Sequence, residues 1–310
     1  MRARDDGTPH AAQENLPDDG RVRQERVSGD RVRGSLTGAH RFLRDRQVRA
    51  GALVTALVVL VAVLGPLAAP YAADELVGLA YGAPAPGAPL GYDYLGADVL
   101  SRMLLGGRSI VLTTVCAAVL ALLAGGSIGM LAAWTGRFAD RAVLWCADVL
   151  LAFPHLILVL LAVAMLGRSR WLIVATVAIT LLPGTVRLAR SLTLGVMGQE
   201  YVEAARLMGY PRRRILFREI LPNITTPLLV HLGAMLTWSA GLIAAMSFLG
   251  YGVAAPAADW GLMIDENRGG LRVQPWAVLG PVVLIALFAL GVNTLAEGLG
   301  RAAARAEEEP

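Results

Sequence analysis

Six long, uniformly apolar stretches constrain this chain more than any other feature. They run over Ala50–Ala69, Ile110–Trp134, Ala142–Leu166, Trp171–Leu188, Thr226–Leu249 and Pro275–Leu295. Each is close to the ~20 residues a helix needs to cross a bilayer. A membrane strand would alternate apolar and polar residues over about ten positions, whereas these runs are longer and apolar throughout, so they predict helices. The expected fold is an all-α integral membrane protein of six transmembrane helices. Charged residues make up only 17% of the chain, against about a quarter in a soluble domain. The first stretch has signal-like small residues at Leu67-Ala68-Ala69 and Tyr71-Ala72-Ala73. A signal's charged leader is short, however, and about fifty residues precede this run, so a retained span is expected.

All 28 basic residues are arginine. With the first residues inside, 22 arginines fall on the inner side of the spans and 6 on the outer side. The positive-inside rule then places both termini in the cytoplasm. Trp171 and Trp276 fall at outer span ends, and Trp134 and Trp145 near inner ends, as interfacial anchors do. The pI near 9.4 thus reflects membrane topology and predicts no nucleic-acid partner. Without lysine there is no P-loop for nucleotide and no Schiff-base chemistry. Cys116 and Cys146 sit in apolar runs and make neither a zinc cluster nor a disulfide framework. Residues 1–49 carry eleven arginines and eight acids with almost no apolar pattern, which predicts a disordered basic tail. Arg41, Arg44, Arg46 and Arg49 there form either a solvated flank or a helical face on the membrane.

The connection between the fourth and fifth spans is patterned beyond the needs of a linker. Gln199–Met208 has helix formers at amphipathic spacing, with Val202, Ala205 and Met208 on one face and Glu203 and Arg206 beside it. Gly209 suits a left-handed helix end. Pro211 suits the first position of a second helix, whose apolar stripe is Ile215, Leu216 and Ile220 and whose cationic side is Arg212, Arg213, Arg214 and Arg218. Pro222 is expected to mark the return to the membrane. By itself, such a pattern also fits a helix pair resting on lipid.

Glu203-Ala204-Ala205, then Gly209, then Ile220-Leu221-Pro222 resemble the EAA loop of membrane subunits of binding-protein-dependent ABC importers. The full run Glu200–Asn223 is similar to the dipeptide/oligopeptide/nickel permease branch. So are Asp148–Pro154 (DVLLAFP), Ser247–Val253 (SFLGYGV) and Asp259-Trp260-Gly261, and the resemblance spans about Leu95 to Leu299. It implies a permease subunit of the type I importer fold in the plasma membrane of a bacterium. The implied organisation is a tail over 1–49, a first helix and outer loop over 50–106, and a five-helix core over 107–298. That core holds a cytoplasmic coupling loop over 190–223, and a short tail follows over 299–310. The loop residues Glu200, Glu203, Ala204, Ala205, Gly209, Ile220, Leu221 and Pro222 are implied to dock in a cleft of a cytoplasmic ATPase. Ala204 and Ala205 would permit close approach, and Glu203 would cap or pair with Arg206 or with the ATPase.

Four residues are candidates for the pathway or its gate. Asp148 lies inside the third span, where a charge is expensive; it either contacts solute or pairs with Arg141, Arg187 or Arg190. Pro154 predicts a kink in that span. Trp238 and Asn293 carry polar groups that either line a cavity or hold helices together. Gly125, Gly126 and Gly129 present a small face for helix contact. His155 and His231 are expected to bond to neighbouring helices, and no metal site or catalytic residue is expected. The family pattern before the second span is about five residues longer than Leu95–Arg102 here, so the outer segment is trimmed where a binding protein would touch.

The expected partners are a second, unlike permease, two ATPase domains that carry the ATP and magnesium, an extracytoplasmic solute-binding protein, and lipid. This chain itself would hold no cofactor and catalyse no reaction. The competing function is a secondary transporter driven by an ion gradient, which would need coupling carboxylates or broken helices at mid-membrane. An intramembrane enzyme ranks last, because no paired-acid, H-E-x-x-H or nucleophilic-serine motif lies in the spans.

Overall fold

A computed structural model describes residues 45–254 and 256–308. Residues 1–44 of the tail expected over 1–49 lie outside these residues, as do 255, 309 and 310. Among the described residues the regular elements are helices, with isolated bridges (Leu76 to Ala97, Ala85 to Ala88, Tyr92 to Asp98) in the outer segment.

Helix α1 spans Arg46–Ala68. It starts within the expected tail because Asp45 accepts a hydrogen bond from the Gln47 N–H at 2.8 Å and caps it. Helix α2 spans Val99–Thr135 and starts eleven residues before the expected Ile110. The cause is again a cap: Asp98 accepts from the Ser101 N–H and hydroxyl at 2.8 and 2.6 Å. The outer connection therefore ends at Asp98 rather than near residue 106.

The expected third span is two helices, α3 (Arg137–Leu151) and α4 (His155–Leu166), bent by 84°. Pro154 lacks an N–H and disfavours helical backbone at Phe153, so the chain stops and restarts rather than kinking. Helix α5 spans Arg170–Met197, nine residues past the expected Leu188. Helix α6 spans Glu200–Leu207 and α7 spans Arg212–Ile215. A π turn over Leu216–Ile220 then leads directly into α8, Leu221–Phe248. Pro222 therefore sits inside one helical rod, Arg212–Phe248. The Leu221 N–H reaches five residues back to the Leu216 carbonyl, and that wider turn accommodates a ring that would crowd a tighter one. The non-helical part of the expected 190–223 loop is thus only Gly198–Gln199 and Met208–Pro211. Helix α9 spans Trp260–Asn267, and α10 spans Trp276–Glu308, so residues 299–308 continue a helix rather than forming a loose tail.

Five helices are long and apolar enough to cross a membrane, or six spans if the bent α3–α4 pair counts as one. Helix α2 is central, packed most extensively on α5 and also against α1 and α8. A Cβ at Gly125 would lie 2.8 Å from Thr185, and one at Gly129 would lie 2.9 Å from Ala189, so these glycines let α2 and α5 close up. A Cβ at Gly126 would meet nothing within 4 Å, so it does not share that role. Trp260 is fully buried beside Gly107, and its Nε1 donates to the Met103 carbonyl at 2.7 Å. The Asp259-Trp260-Gly261 motif is therefore a joint between the start of α9 and α2.

Candidate coupling loop and pathway

Helix α6 is a platform held from below. Val202 and Ala205 are buried with Ile215, Leu216, Ile220 and Ile224 from the α7–α8 rod and Met130 and Ala189 from α2 and α5. The apolar stripe read from sequence is thus the inner face, except Met208, which is exposed. Ala205 faces inward too; of the two alanines expected to admit a partner, only Ala204 is at the surface. Tyr201, Leu207 and Met208 accompany it as exposed apolar groups. Glu200 and Glu203 lie in the first turn, where acids complement the helix dipole. Arg206 does not pair with Glu203 but lies 4.8 Å over the Trp134 ring.

The end of α6 is fixed by two backbone bonds. The Gly209 N–H donates to the Arg206 carbonyl at 2.9 Å, and the Tyr210 N–H to the Ala205 carbonyl at 3.2 Å. This is a Schellman closure, with Gly209 at φ +75° and no neighbour within 4 Å of a Cβ placed there. Glycine is required by conformation there, not by space. Pro211 caps α7 instead of starting it, Arg214 stacks 3.9 Å over Tyr210, and Arg212, Arg213 and Arg218 are exposed. Ile220 is buried, Leu221 half-buried and Pro222 exposed.

A cavity of about 750 Å³ opens at the α3–α4 break, lined by Leu151, Phe153, Pro154, His155, Thr237, Trp238 and Gly241 among others. It brings together two of the four pathway candidates, Pro154 and Trp238. Asn293 is elsewhere, half-buried and donating to Glu297 at 2.8 Å one turn along α10. Asp148 forms an ion pair with Arg187 of α5, one turn before the cavity-lining Leu151. A second pair joins the same two helices: Arg190 holds Asp140 through two hydrogen bonds, the longer at 2.6 Å. His231 lies 3.3 Å from the Thr185 hydroxyl on α5, while His155 lines the cavity, so the two histidines do not converge.

Sequence reasoning missed a charge cluster that joins the segment over 70–98 to α9. Arg102, nearly fully buried, bridges Asp93 of the outer segment and Glu266 of α9, the latter at 2.8 Å. Asp93 also accepts the N–H groups of Leu95, Gly96 and Ala97 at 2.9–3.0 Å. The Tyr94 hydroxyl donates to Glu266 at 3.1 Å, and burial together with that carboxylate raises its pKa above the ordinary value. The segment over 70–98 is shorter than the family pattern but is a built unit clamped onto α9. Asp93 lies nine residues from Arg102, but the partners on α9 lie 164 to 173 positions away, so no local spacing announces them.

A many-span helical bundle with an apolar cavity and a patterned loop anchored at one end defines a membrane transport component. A family model described as "Binding-protein-dependent transport system inner membrane component" matches residues 125–307. The glutathione transport system permease protein GsiD of Pectobacterium atrosepticum is 33% identical over 84% of this chain and 87% of its own length. The dipeptide transport system permease protein DppC of Alkalihalophilus pseudofirmus is 35% identical, over 67% and 69%. The oligopeptide transport system permease protein OppC of Bacillus subtilis is 31% identical, over 84% and 85%. The chain belongs to the binding-protein-dependent permease family. It is a permease subunit of an ABC importer, with the type I permease fold, and resides in the inner membrane.

Proposed function

We propose that this chain forms half of a pathway for peptides or peptide-like solutes and takes its drive from separate ATPase chains through α6. The observation that carries this reading is the build of α6. Its buried face locks it to α2, α5 and the α7–α8 rod, while Ala204, Leu207 and Met208 offer an apolar, low-relief outer face. A push on that face moves the bundle rather than the loop alone. Both termini and α6 then lie in the cytoplasm, and the Arg102 clamp lies outside, where a solute-binding protein docks. ATP and magnesium act on the partner chains; this chain contributes no catalytic group and no metal site. A second, unlike permease supplies the other half of the cavity wall. The names of the relatives, which specify glutathione, dipeptides and oligopeptides, support a peptide-like solute.

The test is a purification of the tagged chain in mild detergent from its native membrane. ATPase subunits, a second permease and a binding protein in the eluate support the reading. Recovery of the chain alone, with uptake continuing in ATP-free vesicles under an ion gradient, overturns it.

A further inference from the structure

The Asp148–Arg187 pair is placed unlike a structural bridge. Asp140–Arg190 already ties α3 to α5, with side chains only 20–25% exposed. Asp148 and Arg187, joining the same helices, are 60% and 47% exposed. Arg187 lies next to Leu188, where the apolar stretch of the fourth span ends. Ionised groups at the end of a span face a bundle interior or water rather than lipid.

Two glycines extend the argument. A Cβ at Gly184, one turn from both Leu181 and Arg187 on α5, would meet nothing within 4 Å, and the same holds for Gly241 on the cavity wall. Glycine inside a helix weakens it relative to alanine, and neither position is explained by close packing. Gly241 keeps volume open in the cavity, and Gly184 leaves the α5 surface between the cavity-lining Leu181 and Arg187 without a side chain. Leu151, one turn from Asp148, lines the cavity itself.

We propose that Asp148 and Arg187 form a charged sill at the inner mouth of this cavity, the two halves of a site for a solute bearing one cationic and one anionic group. The solute's ammonium exchanges onto the Asp148 carboxylate and its carboxylate onto the Arg187 guanidinium. A half-exposed pair contributes little to stability, so opening it is easy. The proposal rests on the importer reading, with α6 on the cytoplasmic side.

The experiment uses the full importer, purified with its partner chains, in proteoliposomes. Cys116 and Cys146 are replaced by serine, and Asp148→Cys, Arg187→Cys and Leu123→Cys are introduced singly. Leu123 is an exposed apolar residue of α2 and serves as the lipid-facing control. The probes are membrane-impermeant thiosulfonates, one anionic and one cationic. Both sill positions should label about tenfold faster than Leu123→Cys, as water-facing sites do. Asp148→Cys, with Arg187 intact, should prefer the anionic reagent, and Arg187→Cys, with Asp148 intact, the cationic one. Labelling no faster than the control, or the same charge preference at both positions, overturns the sill. If loss of the pair prevents assembly, Leu151→Cys carries the accessibility test with both charges in place. ATP hydrolysis by the same preparation separates the outcomes: its absence in the parent assembly sinks the importer reading, whereas hydrolysis without labelling sinks only the sill.

Discussion

Single residues set the ends of α6 and α9. Gly209 holds a left-handed backbone at φ +75°, which costs an L-residue ~1–2 kcal/mol. Gly209→Ala should leave the bundle folded but fray the end of α6. ATP-driven uptake in proteoliposomes should then fall while basal ATP hydrolysis persists. Asp259 caps α9, accepting the Gly261 and Leu262 N–H groups at 3.0 and 3.3 Å. Burial pushes its carboxyl above the ordinary value of 3.8. The folded state therefore holds this proton more tightly than the unfolded chain, so the contribution is complete below 3.8 and declines as pH rises to the folded value. Asp259→Asn keeps a capping oxygen without the charge. Thermal midpoints in detergent at acidic and neutral pH should differ less in this variant than in the parent chain; an unchanged difference would assign the pH dependence elsewhere.

At the scale of elements, the clamp through Arg102 and the open glycines of α5 and α8 make separate predictions. Removing one partner of a buried pair leaves uncompensated charge and costs ~3–5 kcal/mol. Arg102→Met should thus release the segment over 70–98, visible as faster amide exchange there with α6 unaffected. Gly184→Leu and Gly241→Leu enter space where a Cβ meets nothing and gain ~1 kcal/mol or less of helix propensity. Stability should hold or rise while uptake falls, and retained uptake would place the pathway elsewhere. The helices were legible in the sequence because apolar runs of bilayer length have few other folds. Their ends were less so: Asp45 and Asp98 each cap a helix whose start the apolar run does not mark. The inward turn of Ala205 was hidden as well, since Ala204 and Ala205 are alike in sequence and only the packing of α6 tells them apart. Arg102 was legible merely as one outer charge, its partners being supplied by a strand of chain and a helix far along the sequence.

For the whole molecule, the predictions concern assembly. The chain leaves Trp238 70% exposed on the cavity side and Leu207 84% exposed on α6, two surfaces at separate places on the bundle. Leu207→Glu should reduce recovery of the ATPase subunits with the tagged chain without reducing that of the second permease, and Trp238→Glu should do the reverse. Equal loss of both partners in either variant would mean general misfolding. The family was readable because its motifs sit on the loop and the α9–α2 joint, whereas the cavity arises where Pro154 ends one helix and begins another. The rod from Arg212 to Phe248 has a mechanical consequence of its own. It is 37 residues long, about 55 Å at the rise of a regular helix. Its compliant points, the π turn and Pro227, both lie in the half of the rod nearer α6. The remainder, Leu228 to Phe248, is a stiff arm of about 30 Å, and a tilt of about 5° about its base sweeps the far tip through ~3 Å. The stroke at the far end is thus set by the length of the arm, not by the size of the movement that starts it.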